Sequence, residues 1–195
     1  MKKVLVVYAH PNPKSFNHAI LEKTEQTLKK AGCEVRVKDL YSIGFDPILD
    51  GEDFGQIMNG KTPEDIKNEQ ADISWADRMV FIYPTWWFDR PAMLKGWIDR
   101  TFLNGFAFSY GPTGPQGLLK HDKALIFQTA GGPLAMYQMG HAEDTITRPM
   151  SDGTLHFCGI KDVTHKVLWG VAVSTPADRE KMLGEVAELT HQFAQ

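Results

Sequence analysis

The stretch VLVVYAHPNPKSFNHAILEKTEQTLKKAGCEVRVKDL, residues 4–40, predicts a strand, a helix and a second strand in succession. Residues 4–9 form an unbroken apolar run rich in β-branched side chains, which is typical of a strand covered on both faces. Ser15 is expected to cap a helix over residues 16–31. The alternating segment CEVRVKDL, residues 33–40, predicts the second strand. Together they make a βαβ unit, whose crossover is expected to be right-handed.

Three further strands and four further helices are predicted after this unit. The strands cover residues 77–83, 123–129 and 161–169, and the helices cover residues 63–76, 91–102, about 141–157 and 177–193. Pro63 and Pro91 are expected at the first position of their helices, and Pro149 could interrupt the third of the four. Residues 41–61 are interpreted as a surface excursion with one short helix, and the Gly- and Pro-rich residues 105–121 as a loop or hairpin.

The order of these elements and the length of the chain predict a single α/β domain over residues 1–195. Five strands that alternate with helices indicate a doubly wound, five-stranded parallel sheet with helices on both faces. A net charge of −3 disfavours a nucleic-acid partner, because phosphates favour a basic surface.

Cysteine usage and hydropathy predict a cytoplasmic protein. Cys33 and Cys158 lie far apart and form no CxxC motif, which favours two reduced thiols. The apolar run near the N-terminus is too short for a signal peptide, and no stretch reaches membrane-spanning length, so no membrane insertion is expected. The histidines do not have metal-binding spacing, so no metal site is predicted.

Ligands of doubly wound sheets bind beyond the carboxyl ends of the strands. The loops expected at that edge are HPNPKSFN (residues 10–17), PTWWFDR (84–90) and TAGGPLAMY (129–137). The first loop opens a helix, whose N-terminus favours an anion such as a phosphate. Ser15 can add a hydroxyl and His10 or Lys14 a positive charge, although Ser15 could equally be a plain cap. The loop carries neither GxGxxG nor GxxxxGK[ST].

The other two loops have residue types suited to a flat ring. Trp86, Trp87 and Phe88 follow one another directly after a strand, and a flavin could stack on them. The alternative is that they pack under the next helix or form a dimer contact. Gly131 and Gly132 would let backbone amides approach a ligand closely, unless they form an ordinary strand-to-helix turn.

At these loops the sequence resembles the quinone reductase (DT-diaphorase) family of flavodoxin-like NAD(P)H dehydrogenases. The segments that carry the resemblance are AHPNPKSFN (9–17), YPTWWFDRPAMLKGWIDRTFLNGFAFSYG (83–111), TAGGPLAMY (129–137) and GTLHFCG (153–159). They occur in order along most of the chain. The flavin-bearing ancillary subunits of glutathione-gated potassium efflux systems are similar too.

The resemblance implies a flavodoxin-like fold and a set of site residues. The implied cofactor-binding residues are His10, Ser15, Phe16, Asn17, Pro84, Thr85, Trp86, Trp87, Phe88, Thr129, Gly131 and Gly132. Tyr137 matches the family's tyrosine that stabilises charge on the reduced flavin. His141 is the implied counterpart of the family's histidine that follows this tyrosine and has the same role. Tyr110 matches a tyrosine at the substrate site, Phe108 replaces a second one, and Phe157 supplies a wall from the partner subunit, which implies a homodimer.

The implied activity is two-electron reduction of quinones, or of nitroaromatic or azo compounds, by NAD(P)H through FAD or FMN in a ping-pong mechanism. FAD and FMN both fit, because the chain ends soon after the predicted core, where the animal enzymes continue. The main alternative is a flavin-bearing ancillary subunit of a potassium efflux system. A one-electron carrier is a third interpretation, which the aromatic triplet disfavours.

Overall fold

The computed structural model describes residues 1–139 and 142–195, and its centre is a five-stranded parallel sheet. The strands of the chain are β1 (Lys3–Tyr8), β2 (Glu34–Asp39), β3 (Arg78–Pro84), β4 (Phe108–Gly111), β5 (Gly114–Gly117), β6 (Lys123–Thr129) and β7 (Asp162–Leu168). The parallel sheet has the order β2-β1-β3-β6-β7, and β4 and β5 pair separately as an antiparallel hairpin. The predicted five-stranded doubly wound sheet is therefore confirmed.

Helices cover both faces of this sheet. They are α1 (Phe16–Lys30), α2 (Gly51–Met58), α3 (Glu64–Trp75), α4 (Ala92–Thr101), α5 (Leu134–Gln138), α6 (Ala142–Met150) and α7 (Pro176–Ala194). Helices α1 and α7 pack on one face, whereas α3 and α4 pack on the other. Within the described ranges, no helix is both long and apolar enough to cross a bilayer.

The alternation of β1 explains why its sequence is apolar without a break. Val4 and Val6 point into the cluster under α1 and α7, whereas Leu5 and Val7 point into the cluster under α3 and α4. All four side chains are fully buried. Successive side chains of a strand point to opposite faces, so a central strand needs apolar residues at every position.

Several helix boundaries differ from the prediction by one residue, and proline residues explain two of them. Pro63 and Pro91 are N-cap residues with extended ψ angles of 147°, so α3 and α4 begin one residue later. Pro149 lies inside α6, which ends one residue later at Met150, and the chain continues from there as a π-helix over Ser151–His156, so the predicted interruption is a change of helix type. The Thr154 hydroxyl donates a hydrogen bond to the Pro149 carbonyl oxygen, five residues earlier, at 2.8 Å. Helix α5 was not predicted.

Candidate active site

Three loops meet at the carboxyl ends of β1, β3 and β6, which are neighbours in the sheet. In the sheet, β2 lies on one side of β1, and β3, which comes later in the chain, lies on the other side of β1. This is the switch in strand order where doubly wound sheets bind ligands. The Thr85 amide donates to the Thr129 carbonyl oxygen at 2.7 Å, and Asn17 Nδ2 donates to Thr129 Oγ1 at 2.9 Å. All three loops are thus joined at Thr129.

The loop after β1 is ordered by its own hydrogen bonds. Ser15 caps α1, since its Oγ accepts from the His18 amide at 3.2 Å, as predicted. The Asn12 amide donates to His10 Nδ1 at 3.0 Å, and Asn12 Oδ1 accepts from the Lys14 amide. Burial lowers the pKa of His10, so the imidazole is neutral at pH 7 and Lys14 is the loop's cation.

Asn17 carries a buried polar atom in this loop that a polar ligand could hydrogen-bond. Its side chain is buried and its Oδ1 has no hydrogen-bond partner among the described residues. A buried acceptor without a donor costs about 1–3 kcal/mol. The first-turn amides of α1 beside it also lack intrahelical acceptors. A ligand that presents an anion to the helix and a donor to Asn17 would satisfy both.

The loop after β3 is a tight turn that the sequence analysis did not identify. The Trp86 amide donates to the Asp89 carbonyl oxygen at 2.9 Å, and the Asp89 amide donates back to Trp86 at 3.1 Å. Trp87 and Phe88 between them have φ angles of 51° and 60°. Two left-handed residues suit glycine or asparagine, so bulky aromatic side chains here are strained. Such strain persists at ligand-binding positions.

This turn holds its aromatic rings over the other two loops. The Trp86 ring lies 5.9 Å from His10, and the Phe88 ring lies 5.8 Å from Tyr137. Trp87 is 97 % exposed, so it does not pack under the next helix. Tyr137 is buried, and its ring also packs against Trp169, with 4.9 Å between the two ring centres.

The two glycines after β6 are required for different reasons. A Cβ on Gly132 would lie 2.7 Å from Met136 Sδ and 3.3 Å from Tyr137 Cε2, so this glycine lets Tyr137 fold back over the loop. A Cβ on Gly131 would meet only Ala172, at an ordinary 3.8 Å. The space beside Gly131 is therefore open, which suits close approach of a ligand to the backbone.

A polar network under the site was missed by the sequence analysis. Gln128 is fully buried; its Oε1 accepts from Tyr83 Oη at 3.3 Å and pairs with His165 Nε2 at 2.8 Å. Its Nε2 donates to Thr85 Oγ1 at 2.8 Å. The available signal was a glutamine that directly follows the apolar run of β6. Burial lowers the pKa of His165 to about 4, so this imidazole is neutral and its Nε2 can donate.

Protonation of the partly buried His165 is expected to lower stability in mild acid. Because its pKa is about 4 in the folded state and about 6.5 when unfolded, the unfolded chain binds more protons between these values. The free energy of unfolding should therefore fall by about 3 kcal/mol from pH 6.5 to 4 on account of this residue. Urea denaturation at several pH values measures it. His165→Gln should flatten the pH dependence and the exposed control His191→Gln should not; equal slopes in all three proteins would contradict the prediction.

The predicted substrate residues form a second aromatic cluster. Phe108 lies 5.6 Å from Tyr110 and 5.4 Å from Phe157, ring centre to ring centre. Tyr110 is 72 % exposed. Within the described ranges, these rings do not contact Tyr137 or the aromatic turn. The predicted catalytic residue His141 lies outside the described residues.

A ligand site at the switch point of a five-stranded doubly wound sheet defines a class of flavodoxin-like proteins. The model of a family described as having a flavodoxin-like fold matches residues 2–190, and the chain belongs to this family.

Several relatives share nearly the whole chain. Mouse ribosyldihydronicotinamide dehydrogenase [quinone] is 38% identical to this chain. The match covers 96% of this chain and 90% of the relative. NAD(P)H dehydrogenase [quinone] 1 of Cavia porcellus is 33% identical, over 94% of this chain and 74% of its own length. Among solved structures, an NAD(P)H:quinone oxidoreductase from Methanothermobacter marburgensis matches with a TM-score of 0.90 and 30% identity, over 100% of this chain and 98% of that one.

Proposed function

We propose that the protein is a flavin-dependent NAD(P)H oxidoreductase that reduces quinones by two electrons. The observation that carries the proposal is the junction of three loops. At a helix N-terminus in one of them, Asn17 Oδ1 has no partner among residues 1–139 and 142–195, and another loop is a strained aromatic turn. The mouse and Cavia porcellus relatives are named as quinone dehydrogenases. These names favour an enzyme over the ancillary-subunit alternative.

The residues present fit a flavin, FMN or FAD. The phosphate end would lie at the N-terminus of α1, with Ser15, Asn17 and the exposed Lys14 beside it. The ring would lie between the aromatic turn and the open backbone at Gly131. When bound there, a flavin supplies a group that accepts hydride from NAD(P)H and donates it to the quinone.

Two side-chain amides orient the hydroxyls at the floor of this site. Gln128 Nε2 donates to Thr85 Oγ1, and Asn17 Nδ2 donates to Thr129 Oγ1. Because each threonine oxygen accepts a hydrogen bond from below, its own hydrogen is available to a ligand above. Both hydroxyls can therefore donate to the electron-rich edge of a flavin ring.

Tyr137 is the proposed catalytic residue, and His141 is its proposed partner. Phe88 and Trp169 pack against the Tyr137 ring and restrict its rotation. A hydroxyl fixed in this way can stabilise negative charge that develops on the ring during hydride transfer. The rings of Trp86 and Phe88 would exclude water from the reacting atoms.

A homodimer is part of the proposal. Phe108, Tyr110 and Phe157 would complete the site of the partner subunit, which explains why they cluster apart from Tyr137. Large apolar side chains are exposed on the same molecule, including Phe54 at 56 % and Trp87 at 97 %. A second subunit that covered such side chains would remove apolar surface from water. We further propose a cytoplasmic location, since Cys33 and Cys158 are both free thiols.

The test begins with the purified protein. Flavin released by denaturation is identified by mass, and turnover of menadione is measured with NADH and with NADPH; sedimentation gives the oligomeric state. The proposal expects a bound flavin, rapid quinone reduction and a dimer. A colourless protein that takes up neither FMN nor FAD would overturn it, and a flavoprotein with negligible turnover would favour the ancillary subunit.

Ser15→Ala is expected to weaken flavin binding by about 10-fold, because the variant loses a hydroxyl at the phosphate position and a helix cap. Thr175→Ala is the matched control, since Thr175 caps α7 through the same type of hydrogen bond and lies outside the proposed site. Both variants should lose about 1 kcal/mol of stability. Titration of the flavin-free proteins with FMN and FAD separates the effects: equal affinity in both variants would remove Ser15 from the site.

A further inference from the structure

Among the described residues, Arg90 differs from the other buried arginines, because its nearest carboxylate oxygen, Asp89 Oδ1, is 4.0 Å away. Arg78 Nε donates to both oxygens of Asp122 at 3.0 and 3.1 Å. Arg100 Nε donates to Asp53 at 2.6 Å, and its Nη1 lies 2.9 Å from an Asp65 oxygen. These two guanidinium groups are therefore neutralised within the fold.

Arg90 is 9 % exposed, yet its contacts are weak. Its Nε is buried without a partner among the described residues. Its Nη1 donates a long, weak hydrogen bond to Met150 Sδ at 3.9 Å and lies 4.0 Å from Asp89 Oδ1, which is too far for a hydrogen bond to an oxygen. That Asp89 oxygen is already engaged by the Arg90 backbone amide at 2.7 Å. A buried charge is costly unless an anion with good hydrogen-bond geometry accompanies it.

Arg90 lines a cavity of about 480 Å³ with largely apolar walls. Phe108 and Phe157, the two rings proposed above to contact the acceptor, belong to the same lining. The other cation of the lining, Lys95, is already paired with Asp99 at 2.6 Å. Apolar surroundings strengthen a pairing between Arg90 and an incoming anion, because they lower the local dielectric.

We propose that this cavity is a subsite for an anionic substituent, a carboxylate or sulfonate, on an aromatic electron acceptor. The ring of the acceptor rests against Phe108 and Phe157, and the anion accepts hydrogen bonds from Arg90, whose planar guanidinium matches such groups bidentately. A single guanidinium suits a monoanion. The inference rests on the proposed function, because it names the acceptor class for the same site.

The test compares a matched pair of acceptors, 1,4-naphthoquinone-2-sulfonate and 1,4-naphthoquinone, in the wild type, Arg90→Met and Arg90→Lys. In Arg90→Met, kcat/KM for the sulfonate should fall by about 10- to 100-fold more than for the neutral quinone, mainly through KM. Arg90→Lys should recover part of the difference. The intrinsic reactivities of the two quinones cancel when their ratio is compared between proteins.

Arg148→Met is the control, since Arg148 is an exposed arginine whose carboxylate contacts are 3.7 and 3.9 Å long. It should leave the ratio unchanged. A ratio that is the same in the wild type and Arg90→Met would overturn the subsite. A dimer that dissociates only in Arg90→Met would also overturn it, because the anion would then come from a second copy of the chain.

Binding of the unreactive 2-naphthoate, followed by calorimetry, separates this inference from the proposed function. Affinity for 2-naphthoate should fall by about 10- to 100-fold in Arg90→Met. If neither quinone is reduced but this fall is seen, the subsite stands and the proposed function fails. If quinones are reduced and 2-naphthoate binds both proteins equally, the function stands and the subsite fails. Far-ultraviolet circular dichroism verifies that each variant is folded.

Discussion

Tyr137→Phe is expected to lower kcat for quinone reduction by about 100-fold, with flavin still bound. Phenylalanine keeps the ring that packs against Phe88 and Trp169, so the variant loses only the hydroxyl. Removing one fixed donor from a site of developing negative charge costs about 100- to 1000-fold in rate. Stopped-flow measurement of flavin reduction by NAD(P)H isolates this step from acceptor binding.

Tyr41→Phe is the control for this prediction, because Tyr41 packs on the core outside the proposed site. It should leave the rate of flavin reduction unchanged. Gly132→Ala gives an independent check: its Cβ would clash with Met136 Sδ at 2.7 Å and press on the Tyr137 ring at 3.3 Å, so it should slow the same step. An unaltered rate in Tyr137→Phe would remove this hydroxyl from the proposed mechanism.

Arg100→Met is expected to lower the free energy of unfolding by about 3–5 kcal/mol. Arg100 lies on α4 and is 5 % exposed; it donates to Asp53 of α2 at 2.6 Å and to the Asp46 carbonyl oxygen at 2.9 Å. Asp53 is also buried, so methionine would leave its carboxylate without a counter-charge. Breaking a buried pair from one side is costly because the remaining charge stays out of water.

The control for Arg100 is Lys95→Met on the same helix. Lys95 pairs with Asp99 at a similar distance, but both side chains are exposed, so the loss should be below about 1 kcal/mol. Urea denaturation gives both values. The double variant Arg100→Met with Asp53→Asn should recover part of the loss, since it no longer buries an unpaired carboxylate. Equal losses from Arg100→Met and Lys95→Met would contradict the argument.

The sequence predicted the sheet well because local signals agree with the global fold. The apolar runs of β1, β3 and β6 have no polar break that would suit an exposed face, and the predicted bounds of β6 are those observed. Ser15 was recognisable as a cap because a hydroxyl before a helix satisfies a first-turn amide. The three loops followed from a general property of parallel sheets, whose carboxyl ends lie at one edge.

Other features depend on residues that are distant in the sequence. Arg90 lies two residues beyond the aromatic triplet, but only the tertiary structure shows that it is buried beside Met150, with its Nε unpartnered among the described residues and the Asp89 carboxylate 4.0 Å from its Nη1. The pairing of Gln128 with His165 joins positions 37 residues apart on neighbouring strands. No local pattern specifies such a pair, because its partners are chosen by strand order and register.

The amino-acid sequence by itself determined the doubly wound α/β class, the edge of the sheet at which a ligand is expected and the residue types assembled there. These follow from periodicity and chain order, which are local properties. The tertiary structure decided which of those residues touch: Asn17 with Thr129, Trp86 with His10, and Phe88 with Tyr137. It also left Asn17 Oδ1 and Arg90 Nε without partners in the part of the chain that the structure describes, and whether a buried polar atom is satisfied depends on every element packed around it.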